Sequence, residues 1–410
     1  MRPLFALAFA ASVAGPAGAE ESVLIGDVPL PTGIEITEAE DASFFGVWTG
    51  RWDSWRNHIL VVEGRDEDGL INVVYSVGRD WRGRGNWFRT KARIEDATLV
   101  FEDERFPARY AISDTGRLRG IYPTKEHFAV LQRQELSDIL ATPTDAWFEL
   151  GLRETLVTDL REDGQAISLA VAIYVPEGDG PFPLALVHHG STGSGTNPAD
   201  FDWFFTNDWF ADVLNAHGWI AAFPQRRGRG GSDGLYDEGF SEDRTKGYSL
   251  ESRLSLPGAE RALTDANAAL AALQQRHDVR DGPVLLSGVS RGGVVALMQA
   301  GDQPGIAAGV INFVGGWISE PAGDPEINPT LFRRIEGYDG VVLSIYGEDD
   351  PYYSIEHSRS NLSHVQDMGA ESELHVISIP GFNMGHSAMW RPSLWEDVVS
   401  GYLQRINSRP

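Results

Sequence analysis

Residues 283–300 read PVLLSGVSRGGVVALMQA. An apolar run ends at Val289, Ser290 follows, and glycines at 292 and 293 open a stretch with helical spacing. That strand–turn–helix succession is the setting in which G-x-S-x-G forms a nucleophile elbow: the turn strains the serine backbone and lifts its hydroxyl over the end of a sheet. Gly288 and Gly292 are required because a side chain at either would collide with the neighbouring strand or helix, and Gly293 adds close packing at the helix start. The same pattern occurs at Gly230, Ser232 and Gly234, within QRRGRGGSDGLYDEG (225–239), where no apolar helix follows. In a chain with 45 glycines among 410 residues a bare match has little weight. Context selects Ser290.

Outward from this stretch the texture is constant from about residue 147 to the C-terminus. The amphipathic strands LRETLVTDL (152–160) and ISLAVAIYVP (167–176) are followed by the apolar FPLALVHHG (182–190). A helical WFADVLNAHG (209–218), a buried WIAAFPQ (219–225) and an Ala/Leu-rich helix (260–278) lead to the elbow. Beyond it, strands at 307–316, 341–349 and 373–379 alternate with helices at 354–368 and 393–406. Apolar strands alternating with helices predict a mostly parallel sheet covered on both faces, with ligands bound beyond the carboxyl ends of the strands.

A serine hydroxyl needs a base, and the base needs an orienting acid, in the chain order Ser, Asp or Glu, His for this kind of sheet. Asp349 and Asp350 follow the strand VVLSIY, and His386 lies in a loop after ELHVISI. His58, His127, His217, His277, His364 and His375 lie outside the loops where catalysis is expected. Acyl transfer also needs two N–H donors for the oxyanion: Arg291, directly after the serine, and Ser191, in the loop that Gly190 turns after LALVHHG. His189 is expected to pack beneath that loop, and a metal at His188–His189 lacks a third ligand at supporting spacing. Arg226, Arg227 and Arg229 either grip a substrate anion, with Arg227 as the representative candidate, or form internal ion pairs. The Pro-rich 315–340 stretch is expected to form part of a cap, with Trp317 lining the substrate pocket.

HHGSTGSG (188–195), FPQRRGRGGSDGLY (223–236), GVSRGG (288–293), YGEDDPYY (346–353) and MGHSAMW (384–390), in that order, resemble the α/β-hydrolase superfamily, and within it the dienelactone hydrolase-like and prolyl oligopeptidase-like branches. The resemblance implies Ser290, Asp350 and His386 as a catalytic triad, with Arg291 and Ser191 as oxyanion donors. It favours Asp350 over Asp349, because the acid in that fold commonly lies three residues after a glycine closing the strand, here Gly347. Two departures matter. Dienelactone hydrolases proper use a cysteine nucleophile, and this chain has no cysteine. Prolyl oligopeptidases proper carry a propeller that the preceding β region is too short to form. The implied function is a serine hydrolase of carboxylic esters, with a prolyl-type peptidase or aminopeptidase as the alternative. No metal or organic cofactor is expected.

Before the hydrolase-like region, residues 41–134 contain eight β-branched or aromatic runs separated by turn residues, a small all-β domain of sandwich or barrel type. GVWTGRW (46–52) resembles the G-x-W start of lipocalin-like barrels. Trp48, Trp52, Trp55, Trp81 and Trp87 are read as core residues, the other reading being a glycan- or lipid-binding surface on a protein with a vestigial hydrolase. PLPTGIEIT (29–37) is read as a connector and 135–146 as a linker to a catalytic domain spanning 147–410. The N-terminus, MRPLFALAFAASVAGPAGAEE, reads as a secretory signal cleaved after Ala19, giving an exported protein, periplasmic or secreted, without stable membrane insertion. A net charge of −25 argues against nucleic-acid and anionic-membrane partners. The expected partner is a small ester or peptide substrate.

Overall fold

A computed structural model describes residues 21–37, 43–53, 55–80, 82–124 and 126–408. The leader at 1–19, Asp41 and Trp81 lie outside the described residues. The chain divides into two units, the first ending at Leu150 and the second beginning at Gly151. No helix among the described residues is long and apolar enough to cross a membrane.

In the first unit, β1 (Ser22–Ile25) and β2 (Val28–Pro31) form an antiparallel ribbon. The connector reading of 29–37 therefore gives way to a strand at its start. The next eight strands are β3 (Gly46–Trp52), β4 (Asn57–Arg65), β5 (Ile71–Val77), β6 (Asn86–Glu95), β7 (Thr98–Phe101), β8 (Arg109–Ile112), β9 (Leu118–Tyr122) and β10 (His127–Gln134). They close antiparallel into a barrel in the order β10-β3-β4-β5-β6-β7-β8-β9, which leaves no edge unpaired. Alternation along β4 shows how one strand serves two cores: Leu60 and Val62 face the interior, Ile59 and Val61 the outside. The interior is filled by side chains from every barrel strand, Trp48, Trp52, Tyr75 and Tyr110 among them. The outer cluster is covered by Ile25, Val28 and Leu30 of the ribbon, and by Ile139 and Phe148. Ile139 belongs to α1 (Leu136–Ala141) and Phe148 to a 3₁₀ turn (Asp145–Phe148). The stretch 135–146 is thus folded onto the first unit instead of spanning two units as a bare linker, because two of its neighbourhood's apolar side chains complete the barrel's outer core.

The second unit contains β11 (Leu152–Glu162), β12 (Gln165–Tyr174), β13 (Leu184–His188), β14 (Ile220–Pro224), β15 (Val284–Val289), β16 (Ala307–Phe313), β17 (Val341–Gly347) and β18 (Glu371–Ile377). They form one sheet in the order β11-β12-β14-β13-β15-β16-β17-β18. β12 runs antiparallel to both neighbours and every pair from β14 to β18 is parallel. This is the α/β-hydrolase strand order. β13 and β15 are buried along their whole lengths, as strands covered on both faces must be. The helices are α2 (Asp208–Ala216), α3 (Ser252–Leu273), α4 (Arg291–Asp302), α5 (Ile327–Phe332), α6 (Ile355–Asp367) and α7 (Glu396–Asn407). The 315–340 stretch, expected in a cap, instead folds into α5 and a 3₁₀ turn packed against α4, with Ile327, Leu331, Phe332 and Ile335 buried. Its apolar spacing drives it into the helical layer. Only its first residues reach the site described next.

Candidate functional site

Ser290 occupies the turn between β15 and α4 with φ 55° and ψ −123°. An L-residue in this region costs about 1–3 kcal/mol and persists only where its surroundings impose it. The imposition is visible in the backbone. The Ser290 N–H donates to the Phe313 carbonyl at 2.9 Å, and the Ser290 carbonyl accepts from Gly293 N–H at 2.9 Å and Gly316 N–H at 3.3 Å. A Cβ on Gly288 would lie 2.3 Å from the Gly292 carbonyl carbon, and one on Gly292 would lie 2.1 Å from the His188 carbonyl oxygen. Neither position admits a side chain while the turn keeps its shape.

Ser232, the serine of the other match, is a structural clamp. Its hydroxyl donates to the Gln225 carbonyl at 2.7 Å and accepts the Ala170 N–H at 2.8 Å, fastening the Gly-rich loop to β12.

The loops after β17 and β18 interlock. A Cβ on Gly385 would meet the Glu348 carbonyl oxygen at 2.2 Å and the Asp350 nitrogen at 2.5 Å, so the two loops touch backbone to backbone. That contact brings His386 Nδ1 within 2.9 Å of Asp350 Oδ2, with the Asp350 side chain fully buried. The other carboxylate oxygen accepts the N–H groups of Tyr352 (2.8 Å) and Tyr353 (3.3 Å), fixing the carboxylate plane. Asp350, not Asp349, faces the histidine; Asp349 takes a positive φ of 53° and contributes its carbonyl to Gly385 N–H.

Ser290 and His386 line one cavity of about 400 Å³, together with Ser191, Arg291 and Trp317. Trp203, Phe205, Tyr248, Tyr352, Tyr353 and Trp390 give it an aromatic wall. Gly190 lies against the serine: a Cβ there would come 3.1 Å from Ser290 Cβ. Arg291 opens α4, so its N–H lies outside the helical ladder. Among the described residues nothing accepts from the Ser191 N–H. The Arg291 side chain is sandwiched between the rings of Tyr248 (3.8 Å) and Trp317 (4.6 Å), and donates to the carbonyls of Trp317 and Glu238.

Arg227 is placed elsewhere. Its guanidinium donates to Asp265 at 2.6 Å in a buried pair on α3, and it does not line the cavity. The ion-pair reading of the arginine-rich loop describes it, because a buried carboxylate within reach outcompetes solvent for a guanidinium. Arg226 likewise pairs with the buried Glu238. Burial works against the charge on Glu238, but Arg226, Arg291 and Arg229 outweigh it and hold its carboxyl below the usual range. His188 donates through Nε2 to the Gln299 amide oxygen at 2.9 Å, and burial pushes its pKa down to about 3.

Tyr353 also lines the cavity. Its ring packs against Gly316, where a Cβ would lie 2.3 Å from it, and stands 5.7 Å from the His386 ring. Its phenol is driven above its ordinary value by burial, with Arg291 and a hydrogen bond to Ser290 acting the other way. The hydroxyl therefore stays protonated near neutral pH, beside the serine. The only signal for it was its place in YGEDDPYY, three residues after the acid.

No protein-family model matches the chain, and no curated protein is similar to it in sequence. Among solved structures it is similar to Est1E from Butyrivibrio proteoclasticus with ferulic acid bound, at 17% identity over 60% of this chain and 98% of that one, TM-score 0.42. It is similar to dipeptidyl peptidase 4 from Porphyromonas gingivalis at 14% identity over 86% of this chain and 53% of that one, TM-score 0.45. A third is an S-formylglutathione hydrolase from Agrobacterium tumefaciens, at 14% identity over 63% and 96%, TM-score 0.40. At such distances the fold of the second unit rests on the chain's own strand order and its strained serine turn, and that fold is the α/β-hydrolase fold.

Proposed function

We propose that the second unit is a serine hydrolase that cleaves carboxylic esters. The observation that carries the reading is the shared cavity: a serine held at strained dihedrals, beside a histidine whose far nitrogen is bonded to a buried carboxylate. Because His386 Nδ1 faces a carboxylate, the proton resides on Nδ1 and leaves Nε2 free as base. Ser290 Oγ forms a bond to the acyl carbon as its proton passes to His386 Nε2, while Asp350 stabilises the imidazolium. The carbonyl oxygen takes the negative charge and is met by the N–H groups of Ser191 and Arg291. Collapse breaks the acyl–oxygen bond, His386 protonates the departing alcohol, and water activated by the same histidine releases the acid from Ser290.

Ester is favoured over aminopeptidase substrate by the wall chemistry. Among the described residues lining the cavity there is no carboxylate to pair with a peptide's α-ammonium, whereas seven aromatic residues, Trp203, Phe205, Tyr248, Trp317, Tyr352, Tyr353 and Trp390, offer apolar faces. A panel of p-nitrophenyl esters beside aminoacyl and prolyl p-nitroanilides decides it. Turnover of esters, lost in Ser290→Ala, supports the reading; faster turnover of the anilides replaces it with the peptidase. Export belongs to the same proposal: the apolar leader and small residues at 17 and 19 predict a mature protein starting at Glu20. The intact mass of the protein from its native host checks this, and an uncleaved N-terminus overturns it.

A further inference from the structure

Behind the loop that carries Ser191 lies a charge cluster that the proposed reaction does not use directly. His189, Arg226, Arg229 and Glu238 are all buried, with Arg229 wholly inaccessible. Arg226, Arg229 and Arg291 supply three guanidiniums and Glu238 one carboxylate, a surplus of two positive charges. Arg226 consumes that carboxylate at close range. Among the described residues Arg229 forms no ion pair, and its Nε and Nη2 have no hydrogen-bond partner. It is held instead 5.0 Å over the ring of Tyr236, a cation–π contact. Burying a cation whose nearest carboxylate, Glu238, is already paired with Arg226 is costly, so such a group calls for an explanation.

Its location supplies one. The Gly190 carbonyl oxygen lies 2.8 Å from His189 Nδ1 and 3.5 Å from Arg229 Nη1. His189 Nε2 accepts the Arg226 N–H at 3.1 Å, which leaves the ring proton on Nδ1 to donate to Gly190; Arg226 Nη2 (3.1 Å) and Arg229 Nη1 (3.4 Å) stand beside the same nitrogen as close charges and do not donate to it. Burial, with Arg226 and Arg229 adding to it, keeps that imidazole neutral. The Gly190 carbonyl and the Ser191 N–H belong to one trans peptide and point in opposite directions. Donors gathered on the carbonyl therefore aim the N–H the other way and polarise it.

We propose that Arg229, through the Gly190–Ser191 peptide and with His189 as its neighbour, positions and polarises the Ser191 N–H that stabilises the oxyanion formed at Ser290. The inference rests on the serine hydrolase reading above. Arg229 is a positioning residue: it acts through the peptide and touches no substrate atom. A fixed cation in a water-excluded site strengthens a transition-state charge without reorganising during the reaction. A ground-state ester, with little charge on its carbonyl oxygen, gains far less.

The test compares Arg229→Gln and Arg229→Lys with wild type, after confirming that a fluorophosphonate labels Ser290 in the wild-type protein. Without that labelling the hydrolase reading itself fails, and the two failures are thereby separated. Each variant is assayed for kcat and KM on the best ester, and for inhibition by trifluoroacetophenone, whose carbonyl adds Ser290 Oγ to form an anionic hemiketal. Arg229→Gln is expected to lower kcat by about 30-fold with KM within about twofold, and to weaken the ketone by a similar factor. Arg229→Lys, which keeps the charge, restores most of both. Should Arg229→Gln fail to fold, Arg229→Met, which keeps the length without the charge, takes its place with the same expectation: kcat and ketone affinity fall together by one factor. Unchanged kcat and ketone affinity in a folded variant without the charge, or a loss of kcat that the ketone does not follow, overturns the proposal.

Discussion

In the first unit Trp48 and Trp52 fill the interior of a closed barrel, whereas in the second Trp203, Trp317 and Trp390 stand around a cavity at the ends of the strands. The polar groups divide the same way. His58, wholly buried in the barrel, is used up by two internal partners, the Ser76 carbonyl at 2.7 Å and the Tyr110 hydroxyl at 2.9 Å. His386 spends one nitrogen on Asp350 while its ring lines the cavity. A buried aromatic or histidine thus says little about function by itself; what matters is whether its surroundings exhaust its contacts.

The largest effects are expected in the second unit. Asp350→Asn is expected to lower kcat by roughly 10⁴-fold with the fold intact, by presenting the wrong imidazole tautomer to Ser290, while Asp349→Asn stays within about twofold. Steady-state ester hydrolysis on both variants checks this, and activity kept in both single variants would mean that either carboxylate can serve. In the first unit the expected currency is stability. Trp48→Ala should cost about 3–5 kcal/mol in urea unfolding, since a large side chain leaves a packed interior, with ester kcat under native conditions unchanged. A loss of kcat with little loss of stability would reassign this tryptophan from packing to function.

The buried histidines express the same contrast through pH. Burial lowers the His58 pKa from 6.5 to about 3. Between those values the unfolded chain binds a proton that the folded barrel refuses, so stability is complete above about 6.5 and is lost as pH falls toward about 3, by about 1.4 kcal/mol per pH unit. His188 contributes in the same direction in the other unit. Unfolding curves recorded down the acid range should flatten in part for His58→Gln; an unaltered slope would mean that this ring is not held neutral. The smallest effect is assigned to Tyr353→Phe. Losing one hydroxyl beside Ser290 should lower kcat about tenfold with little change in KM, about 1.4 kcal/mol of transition-state stabilisation. A change in KM alone would make Tyr353 a wall of the pocket and nothing more.

Much of this was legible because the informative residues are local. GVSRGG reads as an elbow from its flanks, and the eight runs between 44 and 134 correspond one for one to the eight barrel strands, since period-two alternation and turn residues are short-range signals. What escaped was long-range. Closure of the barrel depends on β10 meeting β3, some eighty residues earlier in the chain. The packing of Ile139 and Phe148 onto the barrel's outer face depends on a surface that does not exist until the barrel forms. The partners of the arginine-rich loop were invisible for a related reason. Arg227 meets Asp265 across a helix and Arg226 meets Glu238 across an irregular loop, and neither spacing has a period.

The most direct test of the central claim is the site of modification by a fluorophosphonate probe, mapped by mass spectrometry of wild type, Ser290→Ala and Ser232→Ala. A single adduct is expected on the peptide containing Ser290, lost in Ser290→Ala and retained in Ser232→Ala. An adduct on Ser232, or no adduct on folded wild-type protein, would contradict that claim.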